Sequence, residues 1–285
     1  MTKTVLRLGG MAFCSLMAAF VATPGIAQKA KDTVRLGLTE PTPVVSAYYN
    51  LGRENSFFYR TVFDTLIVYK EETTEFVPLL AKSWKRVDPR TFEFELRDDV
   101  KFHNGNSFDA DDVIHTINFA LDRNSKIQLP RLYTWIEKVE KLGPHKIRII
   151  SSSPSAIDLI NLANTFIYDQ EYHQTFEDKI DHGRSPVGTG AFRILEVDSN
   201  KGILAEKYDG FSHGPDWMKG HVERVHALPI HDRDTQIANL MTGNLDAVKD
   251  ATEDQLSALK KDPNLTVTGR PSTNMTYLMF DAAAR

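Results

Sequence analysis

Hydrophobic residues recur along this chain at two spacings. Val34, Leu36 and Leu38 alternate with other residues, which predicts a strand over 33–38 that Pro41 and Pro43 stop. Phe58, Val62, Thr65 and Leu66 stand at helical spacing and predict an amphipathic helix over 55–68. Phe92, Phe94 and Leu96 alternate with Glu93, Glu95 and Arg97, the pattern of a half-buried antiparallel strand. Residues 109–122 give the clearest helix. Asp109 caps it, Asp111 and Asp112 suit its positive start, and Val113, Ile114, Ile117, Ala120 and Leu121 form one apolar stripe.

Further strands are predicted over 146–150, 192–197, 203–208 and 222–228. Asp234 is read as the cap of a helix that turns Ile237, Leu240 and Met241 inward and ends at Gly243. Thr252 and Gln255 form a capping box for the next helix, with Pro263 beyond it, and 265–268 and 276–280 are the last predicted strands. Strands and helices mix without strict βαβ alternation. That indicates an α/β or α+β lobe with mixed sheets rather than a Rossmann fold or a TIM barrel.

The first residues have a different logic. Lys3 and Arg7 precede an uncharged run over 8–22, and Gly25 and Ala27 follow as small residues two apart. This is the layout of a cleavable secretory signal, with cleavage expected after Ala27 and a polar leader over 28–32. The run is shorter than the roughly 20 apolar residues a spanning helix needs, and no later segment is apolar enough to span. Cys14, the only cysteine, lies in the signal, so a mature chain would carry no disulfide, zinc–thiolate site or cysteine nucleophile. Losing two positive charges and no negative ones takes the formal net charge from -4 to -6, a poor balance for nucleic acid or an anionic membrane.

Local catalytic signatures are missing. There is no phosphate-cradling Gly-x-x-x-x-Gly-Lys-Ser/Thr loop and no Gly-x-Ser-x-Gly elbow. Gly188-Thr189-Gly190 is too short for a dinucleotide fingerprint and reads as a turn needing permissive glycines. His221 and His226 flank Glu223 but sit five apart on a strand, not four apart on a helix face. His103, His145, His182, His213 and His231 show no metal-ligand spacing. Tyr133-Thr134-Trp135, after Pro130, offers aromatic rings that either wall a pocket or pack in the core.

Several segments in order resemble one family: PLLAKSWKRVDPRTFEFELRDDVKFHNGNSFDADDV at 78–113, SPVGTGAFRILEVDSNKGILAEKYDGF at 185–211, IHDRDTQIANLMTGNLDAV at 230–248, and TYLMFD at 276–281. The chain is similar to the extracellular solute-binding family 5 of ABC importers, whose members bind dipeptides, oligopeptides, nickel complexes and related solutes. The resemblance implies a class II, peptide-binding-type periplasmic binding protein fold that closes on solute. Residues 33–281 would be its first lobe, with 33–62 and 185–281 as core subdomain and 63–184 inserted. Residues 282–285 would be a truncated hinge, with the second lobe and the family's acidic partner for a peptide amino terminus missing. A lone lobe is then expected to bind solute weakly.

The resemblance also implies the site. Glu40, Pro41 and Thr42 match backbone that faces the ligand, Tyr133 and Trp135 match the cleft wall, and Asn274 and Tyr277 enter the hinge. The nickel branch's arginine has no counterpart in 164–168, which lowers a nickel reading. The expected function is a periplasmic receptor for a peptide-like solute, partnered by importer permease subunits, with no catalytic residue, metal or cofactor. A secreted hydrolase or a metal-binding receptor is the alternative.

Overall fold

The computed structural model describes residues 32–268. Strand β1 (Thr33–Leu38) is followed by helix α1 (Arg53–Val62). The hairpin β2 (Ile67–Lys70) and β3 (Glu75–Pro78) leads into β4 (Ala81–Asp88) and β5 (Thr91–Leu96). Helix α2 (Ala110–Leu121) precedes β6 (Ile136–Gly143) and β7 (Lys146–Ser151). Two short helices, α3 (Asp158–Leu162) and α4 (Gln170–Gln174), lead to β8 (Phe192–Asp198), β9 (Gly202–Lys207) and β10 (Arg224–Pro229). Helices α5 (Arg233–Met241) and α6 (Glu253–Leu259) follow. None of the described helices is long and apolar enough to cross a membrane.

One four-stranded sheet runs β1-β10-β9-β8, with β1 parallel to β10 and the other pairs antiparallel. Parallel neighbours need a long crossover, and residues 39–223 supply it. Within that excursion β4-β5-β7-β6 form a second, antiparallel sheet. Each sheet has its own core. Leu38, Val45, Phe58, Val62, Phe63, Tyr168, Ile203 and Ala227 fill the first. Phe92, Phe94 and Leu96 from β5 meet Ile147 and Ile149 from β7 and Val113 and Ile117 from α2 in the second. The phenylalanine alternation of β5 and the apolar stripe of α2 thus meet face to face, which is why both were readable from spacing alone.

Three elements depart from the spacing. Helix α1 stops at Val62, and Phe63 turns extended (φ -112°, ψ 142°). Asp64 is drawn inward by Thr189 and His213, and the Leu66 carbonyl accepts from Leu79 and Ala81 instead of closing another helical turn. Helix α5 is capped by Asp232 rather than Asp234. It buries Gln236 and leaves Met241 61% exposed, because Gln236 donates to the Ile230 carbonyl (2.6 Å) and so faces the sheet. Residues 265–268 form no strand: after α6 the chain closes a turn, with Leu265 donating to the Asp262 carbonyl. The strand predicted over 276–280 lies outside the described residues.

Candidate ligand-binding site

β1 and β10 run parallel and end side by side, at Leu38 and Pro229. Ligands of open α/β sheets bind beyond such carboxyl ends. The loop leaving β1 is pinned from three directions. Glu54, buried at the start of α1, accepts from the backbone amides of both Thr39 and Glu40 (2.9 Å each). His231 Nδ1, just past β10, is 2.7 Å from the Thr39 carbonyl, and Gln236 donates to Thr39 Oγ1 (3.3 Å). Lys249 Nζ stands 3.6 Å from Glu54. Glu40 and Pro41 project to solvent, while Thr42 is buried.

The chain then dives into the first core. Ser46 Oγ accepts from the amides of Tyr48 and Tyr49 and lies 3.2 Å from the Tyr168 hydroxyl, and Asn55 donates to the Ser46 carbonyl. Tyr48 donates its hydroxyl to the Phe166 carbonyl (2.8 Å) and meets the Tyr133 ring at 5.7 Å. Tyr133 is only 4% exposed, and burial pushes its phenol well above the ordinary value. Trp135 is half-buried against the second core, and its indole N–H donates to the Leu132 carbonyl (2.9 Å). Glu40, Pro41 and Thr42 therefore share one loop, whereas the rings of Tyr133 and Trp135 turn toward different cores. Asn274 and Tyr277 lie outside the described residues.

The glycine-rich phrase at 186–190 has a packing role. A Cβ on Gly188 would sit 2.0 Å from the Val62 carbonyl oxygen, and one on Gly190 2.4 Å from that of Thr61. Close backbone approach, rather than a left-handed φ, requires these glycines. Between them, Thr189 donates to Asp64 Oδ2 (2.9 Å), which also meets His213 Nε2 (2.8 Å) in a buried junction. His103 Nε2 lies 2.9 Å from the Gly190 carbonyl, and burial lowers its pKa to about 4. Asn104 and Asn106 of the same phrase donate to Asp169 Oδ2, and Asp169 caps α4.

Sequence spacing did not reveal that His115, His173 and His182 come together. His115 Nε2 is 2.9 Å from His173 Nδ1, and the rings of His173 and His182 are 5.1 Å apart. No set of three or more His, Cys, Asp or Glu side chains that could hold a metal ion exists among the described residues. His226 lies on β10 and His221 on the exposed turn before it, so the two do not face each other across a helix.

The architecture is that of one lobe of a periplasmic binding protein. A Helicobacter pylori ABC transporter-associated periplasmic binding protein, DppA, solved with the peptide STSA, superposes with a TM-score of 0.72 at 24% identity, over 81% of this chain and 49% of its own. NikZ from Campylobacter jejuni, solved with Ni(L-His), gives 0.73 at 23% identity, over 82% and 46%. Residues 75–284 match the bacterial extracellular solute-binding proteins, family 5 middle, and the chain belongs to that family. The probable ABC transporter periplasmic-binding protein SapA of Escherichia coli K12 is 29% identical over 247 residues, 78% of this chain and 44% of that relative. The chain spans about half the length of the curated relatives it matches.

Proposed function

We propose that the chain is the first lobe of the substrate-binding component of an ABC importer, that it works in the periplasm, and that its solute is a peptide or a related small molecule. The family match over 75–284 carries this reading. The lobe would comprise 33–62 and 185–281, with 63–184 inserted, behind a signal over 1–27 that is removed on export. Glu40, Pro41 and Thr42 would face the solute, with Tyr133 and Trp135 at the wall of the cleft and Asn274 and Tyr277 entering a hinge. Importer permease subunits would be the protein partners. The fold by itself does not choose the solute, since one neighbour holds a peptide and another a nickel–histidine complex.

Among the described residues the hydrolase alternative would stand on the Asp64–His213–Thr189 junction, and the geometry there opposes catalysis. Thr189 Oγ1 and His213 Nε2 both bond the same carboxylate oxygen, so the imidazole is not placed to take the hydroxyl proton, and the junction is closed to solvent. Calorimetric titration with di- to pentapeptides, with mass spectrometry of the recovered peptides, tests the reading. Weak heat, as expected of a lone lobe, with every peptide recovered intact is the expected result. Cleaved peptide would overturn it.

A further inference from the structure

The loop leaving β1 owes its shape to a side chain that sequence reading assigned no role. We infer that Glu54 is the positioning residue of the solute loop: its carboxylate takes up the amides of Thr39 and Glu40 and so leaves Glu40 and Pro41 only acceptors to offer the solute. The inference rests on the proposed reading of Glu40, Pro41 and Thr42 as solute-facing, and goes beyond it by naming what holds them and which ligand groups they suit.

The two carboxylate oxygens divide the work. Oε1 accepts from Thr39 and Oε2 from Glu40, each at 2.9 Å, so consecutive amides are consumed by one rigid group. A buried carboxylate is costly unless bonded or paired, and Lys249 at 3.6 Å supplies a counter-charge. The helix start adds to this, because Glu54 lies in the first turn of α1, where the Gly52 cap makes no side-chain bond. Lys249 is itself held in place: Arg233 donates to its carbonyl (3.3 Å), and the nearby segment is tied to β1 by the Arg35–Asp246 pair (2.9 Å).

What remains free at Glu40 and Pro41 has one sign. The Thr39 carbonyl and hydroxyl are already engaged by His231 and Gln236. Among the described residues the Glu40 carbonyl and the exposed Glu40 carboxylate have no hydrogen-bond or ion-pair partner. Glu40, with its amide occupied and its acceptors free, followed by Pro41 with no N–H at all, suits ammonium and amide N–H groups, and disfavours a ligand carboxylate or phosphate at this point.

Substitution at Glu54 tests the assignment with two readouts. Residue-resolved hydrogen exchange on the purified protein reads the clamp itself, and titration with di- to pentapeptides reads its consequence. Glu54→Gln keeps the shape but has one accepting oxygen, so one of the two amides is expected to lose protection about tenfold while β1 amides keep theirs. Glu54→Ala should release both amides and weaken peptide binding about tenfold or more, with Glu54→Gln intermediate, whereas Lys249→Met, which leaves both acceptors, should change affinity less than about threefold. If Glu54→Ala does not fold, Glu54→Gln alone decides. Unchanged protection at Thr39 and Glu40 in Glu54→Gln overturns the clamp. Lost protection with unchanged affinity overturns the positioning role. If the unsubstituted protein bound no peptide, the peptide reading would fail, and the exchange arm alone would still decide the clamp.

Discussion

Two imidazoles lie where a proton is costly. His173 and His182 are buried among the rings of Tyr168, Tyr172, Phe119 and Phe176, with His115 and the Lys179 ammonium as charged or chargeable neighbours. Burial first, then repulsion from nearby cations, lowers His173 to about 2 and His182 to about 3, against an ordinary 6.5. Their folded values are depressed, so the neutral rings stabilise the fold fully above 6.5, and that contribution is lost as pH falls from there toward 3 and 2. Asp112 works in the opposite sense, since burial raises it to about 7. A difference measurement separates them. Each depressed histidine steepens the pH dependence of unfolding by about 1.4 kcal/mol per pH unit. His182→Gln should therefore flatten the slope measured by urea unfolding between about pH 6 and pH 5 by that amount. An unaltered slope would show that His182 takes up its proton without unfolding.

Among the elements, those with one buried face and one wet face were legible, and those held mainly by polar partners were not. Helix α2 was readable because Asp109 and Asp112 complete a capping box at its start and its stripe meets β5 and β7. Asp109→Ala should cost about 1 kcal/mol in denaturant midpoint measurements. Strands β4 and β6 escaped notice because charged residues crowd their outer faces, and their pairing is visible only in three dimensions. Arg148 on β7 joins Glu93 on β5 (2.6 Å) to Glu140 on β6 (3.4 Å). Arg148→Ala is expected to lower the urea midpoint slightly, with the loss shrinking at high salt as screening rises. Asp169 is a stronger joint. It is 1% exposed and accepts from Asn104, Asn106 and the Tyr172 amide. Asp169→Ala should cost roughly 3 kcal/mol, because three donors lose a charged acceptor.

The candidate loop was half legible in the sequence for a related physical reason. Prolines end β1 and mark the loop at 40–43 in the sequence, and the family resemblance then singled out Glu40, Pro41 and Thr42 within it. Glu54 could not, because an acid in a helix's first turn looks like ordinary dipole compensation until its two backbone donors are seen. Tyr133 and Trp135 were open between pocket and core, and in the described chain both rings pack against core clusters. The histidine cluster draws on positions 115, 173 and 182, too far apart in sequence for any spacing rule.

For the whole molecule, residues 188–190 lie where the two cores meet, between Val187 on the second and Ala191 in the first. Backbone from 188–190 lies directly against the end of α1, with Gly190 donating to the Val62 carbonyl (2.9 Å) and His103 to the Gly188 carbonyl (2.8 Å). Gly188→Ala places a methyl against a backbone oxygen 2.0 Å away, with no flexible side chain to yield. It should destabilise by about 3 kcal/mol or more, read as a lower urea midpoint. The central claim concerns the far end of the first sheet, where β1 and β10 deliver a pinned loop to solvent. Hydrogen exchange across the protein, with and without a saturating peptide library, tests it most directly. The account predicts slowed exchange over residues 39–44, little change in the β4-β5-β7-β6 sheet, and peptides recovered intact. Protection confined to another surface, or peptide cleavage, would contradict it.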